Sequence, residues 1–122
     1  MLSKKKDIRK KFKTDVFKRD KYSCRVCGHI YGEERADDNL DAHHILDRNS
    51  PDFDGTGGYV KENGISLCKN PMIFGVPSCH MRAEKYNISA GQVWEPGLCP
   101  DDLFKLIGSS KELAIKTSKK LK

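Results

Sequence analysis

Hydrophobic residues in this chain form short, separated patches whose spacing changes along it. In KKKDIRKKFKTDVFKRDK, Ile8, Phe12 and Val16 recur every fourth residue with Phe17 beside the last. That narrow apolar stripe predicts a helix within a basic N-terminal segment, residues 1–21. The polar stretch 32–39 reads as a loop, and LDAHHIL after it as a short strand. Next comes DRNSPDFDGTGGYVKEN, rich in turn formers and long for a structureless connection unless it is functional. GISLC reads as a second short strand, and PSCHMRAEKYNI as a helix that Ser78 can cap. Pro100 and two aspartates open a further short helix in EPGLCPDDLFKLIG that Gly108 can close. SSKELAIKTSKKLK then starts a basic helix at Ser109 or Ser110 and continues it to the end. Leu103, Leu106, Ile107, Leu113 and Ile115 supply enough apolar surface to dock this tail on the core.

The pattern predicts one small α+β domain over residues 1–122, with a central part at 22–90 and a helical extension at 91–122. Its hydrophobic content of 37% against 33% charged residues leaves an economical core, for which an added staple is an advantage. No run of about 18 apolar residues exists, and MLSKKKDIRKKFK lacks the apolar stretch of a signal peptide. The expectation is a soluble, intracellular, cytoplasmic protein without a membrane partner.

Charge changes the picture by where it sits. Residues 1–21 carry ten Lys/Arg against three acids, and residues 109–122 five against one, whereas 22–108 carry eight against thirteen. Basic ends suit a polyanionic partner, and an acidic middle suits a cation site. Solvated lysine-rich helices would give the same composition.

Five cysteines without a secretory signal point to metal rather than to a disulfide framework. Cys24 and Cys27 have knuckle spacing, followed by Gly28, and supply one pair of a tetrahedral zinc site. Cys68 and Cys79 supply the second pair across the insertion KNPMIFGVPS, with Cys99 or His29 competing for the place of Cys79. Cys99 otherwise reads as a small buried hydrophobe. A redox pair at Cys24 and Cys27 would want a βαβ setting that the pattern lacks.

Two of the four histidines stand side by side in LDAHHI. A strand points neighbouring side chains to opposite faces, so the pair must divide its tasks. Taken in order, CRVCG, LDAHHI, NGISLC and CHMRAE resemble the HNH endonuclease family, over a span from about Phe12 to Glu84. The resemblance implies a ββα-metal core stabilised by zinc and flanked by N- and C-terminal helices. It also implies an enzyme that hydrolyses DNA phosphodiester bonds, on double-stranded DNA, with a catalytic divalent ion (Mg, Mn, Ni or Zn). Carried over by position, His43 and His80 become ligands of that ion, His44 the general base, and Asn63 the brace of the loop behind the base. Glu84, one turn beyond His80, could be a further ligand or hold a metal-bound water, and Asp41, on the His43 face, could be another ligand, a strand-end cap or a salt-bridge partner. Phosphate contacts are expected from Lys4, Lys5, Lys6, Arg9, Lys10, Lys11 and Lys13, with Arg82 and Lys85 beside the catalytic helix face. The long glycine-rich loop and the stretched second cysteine pair depart from the family pattern. The alternative is a non-catalytic zinc-binding module for nucleic acid.

Overall fold

A computed structural model of the chain describes residues 4–71 and 75–121. Met72, Ile73 and Phe74, within the insertion between Cys68 and Cys79, lie outside the described residues. In chain order the elements are α1 (Lys4–Arg19), α2 (Glu33–Asn39), β1 (Leu40–His44), β2 (Gly64–Cys68), α3 (Cys79–Ile88), α4 (Pro100–Leu106) and α5 (Lys111–Ser118). Three short 3₁₀ turns, at Pro51–Phe53, Lys61–Asn63 and Lys119–Leu121, complete them. The chain is therefore a small α+β protein, and no helix among the described residues is long and apolar enough to cross a membrane.

The two strands form one antiparallel pair in which Leu40 faces Cys68, His43 faces Ile65 and His44 faces Gly64. Helix α1 lies against it with Phe12, Val16 and Phe17 buried, following the apolar stripe. Gly64 makes this approach possible: a Cβ there would come 2.5 Å from Val16 Cγ2 and 2.6 Å from Phe12. Because His44 is the register partner of Gly64, the same close approach lets Phe12 stack on the His44 ring, with centroids 4.6 Å apart.

A buried carboxylate ties α1 to the sheet. Asp20 accepts a hydrogen bond from the Ser66 backbone N–H at 2.8 Å and pairs with both Arg19 and Arg25. Arg19 also donates to the carbonyls of Lys61 and Gly64, so one ion-paired cluster fixes the end of α1, the turn before β2 and β2 itself. Buried charge is tolerated when it is paired and fully hydrogen-bonded, and this cluster meets that condition.

Three expectations need correction. Residues 33–39 are helical, not a loop: EERADDN buries only Ala36, but its two leading glutamates favour a helix N-terminus and tertiary packing does the rest. The stretch 47–63 is not structureless, since Phe53 is buried and sits where a Cβ on Gly58 would clash at 2.5 Å. The tail does dock, but through Leu98, Leu103, Phe104 and Ala114, with Ile107 partly buried. Leu106 and Leu113 stay exposed, and the last α-helix ends at Ser118 in a 3₁₀ turn instead of running on. Ser109 donates to the Glu62 carbonyl at 2.7 Å, so the residues leading into α5 buttress the turn ahead of β2.

Candidate metal centre and adjoining cleft

Ligand-type side chains gather in two clusters that meet at the start of α3. In the first, Cys24, Cys27, Cys68 and Cys79 bring their sulfurs within 4.8 Å of one another. Cys24 and Cys27 come from the turn after α1, Cys68 from the end of β2 and Cys79 from the first position of α3. Neither Cys99 nor His29 belongs to the group. The Cys27 N–H points at Cys24 Sγ (3.5 Å) and the Cys79 N–H at Cys68 Sγ (3.3 Å), amide donors suited to stabilising thiolates. Burial pushes the Cys24 thiol up, but amides of Cys27, Cys68 and Val26 outweigh it and leave it more acidic than usual. Burial, together with neighbouring thiolate charge, pushes Cys27 and Cys79 the other way. Four thiols that cannot all ionise side by side become a stable set once a cation is among them. The cluster could therefore hold a structural metal such as zinc. Cys99 is half-buried at the start of α4, not a core residue as expected, with its Sγ 3.7 Å from the Glu95 carbonyl.

The second cluster is His43, His80 and Glu84, whose ligand atoms also lie within 4.8 Å of one another. Ser78 accepts the Met81 N–H at 3.2 Å and so caps α3, placing His80 in its first turn and Glu84 one turn on. His43 is 2% exposed and presents Nδ1 to Glu84 Oε2 at 3.3 Å, yet that nitrogen is buried without a well-aligned hydrogen bond. Burial holds the His43 imidazole below its ordinary pKa and so favours the neutral ring, the form that binds metal. An orphaned buried nitrogen beside a second imidazole and a carboxylate is a donor set that fits a divalent cation.

Asp41 stands outside this trio. It meets Nδ1 of His80 at 2.8 Å, while His80 Nε2 faces Glu84 Oε2 at 3.5 Å. A carboxylate on one ring nitrogen leaves the other as the coordinating one, the arrangement by which such partners orient metal-bound histidines. Burial opposes charge on His80, but Asp41 and Glu84 outweigh it and raise its pKa to about 9. The imidazoles of His43 and His80 in turn hold Glu84 well below the usual carboxylate range, and His80 does the same for Asp41.

His44 lies on the other side of the strand, as alternation requires, packed between Phe12 and Tyr59 (each at 4.6 Å) while still lining the cleft with His43, His80 and Glu84. Its Nε2 is buried without a hydrogen-bond partner. Burial, with His43 and Arg48 nearby, lowers its pKa to about 4. Asn63 is fully buried and braces the chain just beyond: its Oδ1 accepts the Leu46 N–H at 2.9 Å, and its Nδ2 donates to the carbonyls of Leu46 and Gly58. Asn87 donates to the His44 carbonyl at 3.1 Å from α3. Sequence reasoning missed Asn87, although it falls on the face of α3 that carries His80 and Glu84.

Compared with family models, curated proteins and solved structures, the chain matches none. Its own geometry therefore carries the functional argument. Among the expected DNA-contacting cations, Lys4, Lys5, Lys6, Arg9, Lys10 and Lys85 are exposed. Lys11 pairs with Asp15, Lys13 with Asp37 and Arg82 with Glu95, surface pairs of the kind that a polyanion can displace.

Proposed function

We propose that the chain is an HNH-type, metal-dependent endonuclease with a zinc-stabilised ββα core, hydrolysing phosphodiester bonds of double-stranded DNA. The observation that carries this reading is the single cleft lined by His43, His80, Glu84 and His44, with the buried His43 Nδ1 making no hydrogen bond and lying 3.3 Å from Glu84. His43, His80 and Glu84 would hold a divalent ion (Mn, Mg, Ni or Zn), and Asp41 would orient His80. When bound, that ion supplies Lewis-acid stabilisation of the scissile phosphate and the leaving oxygen. His44, kept neutral by burial, takes the proton of the attacking water. A pKa of about 4 makes it a weak base on its own, and the negative charge of an approaching phosphate strengthens it. Asn63 acts as a positioning residue, since it holds the backbone directly after His44. The four cysteines hold Cys79 and thereby fix the adjacent His80. Lysines of α1 supply phosphate contacts that carry no sequence information.

The test is cleavage of supercoiled plasmid by zinc-loaded protein with added Mn, Mg or Ni. The parent should nick or cut, and His44→Ala should lose about 10²–10⁴ in rate. Full activity in that variant would remove the proposed base. One observation favours the rival, a non-catalytic zinc module: with its pKa raised to about 9, His80 can sit as an imidazolium between Asp41 and Glu84 with no ion at all. The rival predicts zinc at the cysteines and no divalent-dependent cleavage.

A further inference from the structure

Beside the cleft lies a groove of about 440 Å³ whose lining includes Lys5, Arg9, Arg48, Asn49, Thr56 and Tyr59 and no acidic side chain. Arg48 lines both the groove and the cleft, so the two adjoin. Tyr59 organises the cations. The Arg9 guanidinium lies over its ring, 5.4 Å from the centroid, and the Arg48 guanidinium lies against its hydroxyl. The same ring packs at right angles against Phe12 (5.5 Å) and His44 (4.6 Å), so its orientation is fixed by the core and by the proposed base.

These two arginines differ from others in the molecule. Arg19 and Arg25 share Asp20, and Arg82 is taken up by Glu95. Arg9 and Arg48 make no ion pair within 4 Å among the described residues; Arg9 is held over the Tyr59 ring and Arg48 by the Tyr59 hydroxyl, with Asp47 and Glu84 in its electrostatic surroundings. A ring fixes the Arg9 guanidinium without using its N–H donors, and a single hydroxyl contact leaves Arg48 donors for the paired oxygens of a phosphate. Thr56 and Asn49 add neutral polar groups to the same wall. We propose that this groove binds a DNA backbone phosphate neighbouring the one in the cleft, with Arg9 and Arg48 as its contacts and Tyr59 as the positioning residue for both. The placement relative to a scissile bond rests on the nuclease reading, whereas the anion chemistry of the groove does not.

The experiment is a salt titration of binding. Zinc-loaded parent and variants, dialysed and kept without added Mn, Mg or Ni so that the proposed cleavage does not turn over, are titrated with a short fluorescent DNA duplex over a range of salt. Removing Arg9 or Arg48 as alanine should make the slope of log affinity against log salt shallower by about 0.9 each, and by roughly twice that together. Lys105→Ala, exposed on α4, should leave the slope as it is. Arg48→Lys should keep the slope but bind more weakly, because an ammonium cannot offer the planar fork. Tyr59→Phe keeps the ring under Arg9 and removes the hydroxyl from Arg48, so affinity should drop with the slope of the parent; unchanged affinity would remove the positioning role. An unchanged slope in the double arginine variant would overturn the site. If the parent cuts no DNA but the slopes fall as stated, the nuclease reading fails and the groove stands. If the parent cuts and the double variant keeps both slope and rate, the groove fails alone.

Discussion

The cysteine cluster and the histidine–glutamate cluster touch through consecutive residues, Cys79 and His80, yet they are built oppositely. Three of the four sulfur ligands are buried, and the four come from three separate places: the turn after α1, the end of β2 and the start of α3. The second cluster opens to a cleft, with Glu84 and His80 side chains 36% and 27% exposed, and mixes imidazole with carboxylate. A closed thiolate set saturates an ion and turns its binding energy into folding energy, whereas an open mixed set leaves positions for substrate. The contrast teaches how one helix start can serve both clusters: α3 begins at Cys79 of the first, and its next residue, His80, lines the cleft of the second.

The largest effect expected from breaking this division is at the thiols. Cys27→Ser, a change at the one exposed member, should abolish tight metal retention and with it a term of about 10 kcal/mol of metal-coupled stability. The variant should unfold or aggregate, and a thermal melt overlaying the parent's would show that the sulfurs hold nothing structural. Asp20 sharpens the same side of the comparison without metal. Asp20→Ala leaves the buried Ser66 amide unpaired and takes the shared carboxylate from Arg19 and Arg25, which keep their carbonyl partners, and should cost about 2–3 kcal/mol in denaturant unfolding of zinc-loaded protein. A loss below about 1 kcal/mol, the value of an exposed pair, would demote that cluster.

On the open side, Asp41→Asn should leave the fold intact while weakening divalent binding in the cleft about 10–100-fold, since the carboxylate orients His80. Mn titration would read it, and equal affinity would detach Asp41 from the site. The smallest effect is in pH. Asp41 and Glu84 raise His80 in the fold from 6.5 to about 9 against the opposing effect of burial, so its contribution to stability is fully present below pH 6.5 and is lost as pH rises through about 9. Melting of zinc-loaded parent against His80→Gln should therefore show a difference that shrinks across that window. A pH-independent difference would mean that the ring is not held as a cation.

How much of the molecule is legible in its sequence follows from where the information lies. The short strands, the Ser78 cap and the α1 stripe are local patterns, and each matches an observed element. The cysteine cluster is legible because cysteine is rare in this chain and falls at spaced motifs, whereas His43, His80 and Glu84 are picked out through the resemblance carried by LDAHHI, NGISLC and CHMRAE in order. Spacing suggests Cys68 with Cys79 across a ten-residue insertion without fixing the pair, since only the fold brings the ends of that insertion together. Helix α2 escapes because it has no apolar period; a single alanine faces the core. Asp20 looks like one more charge at the end of a basic helix, and its amide partner Ser66 is distant in sequence. Arg48 and Tyr59 fall in a stretch of turn formers, where no periodicity tells which side chains come together. Asp41 lies on the strand face that alternation assigns it, but which ring nitrogen of His80 it meets is a matter of rotamers.

The most direct test of the two-site account is a metal count by native mass spectrometry on protein purified with zinc, dialysed, and then titrated with Mn. One zinc should survive dialysis, and one further Mn should bind to the parent but not to His80→Ala, which should keep its zinc. Loss of the zinc in His80→Ala, or a parent that takes up no second ion, would contradict the division into a closed structural centre and an open working one.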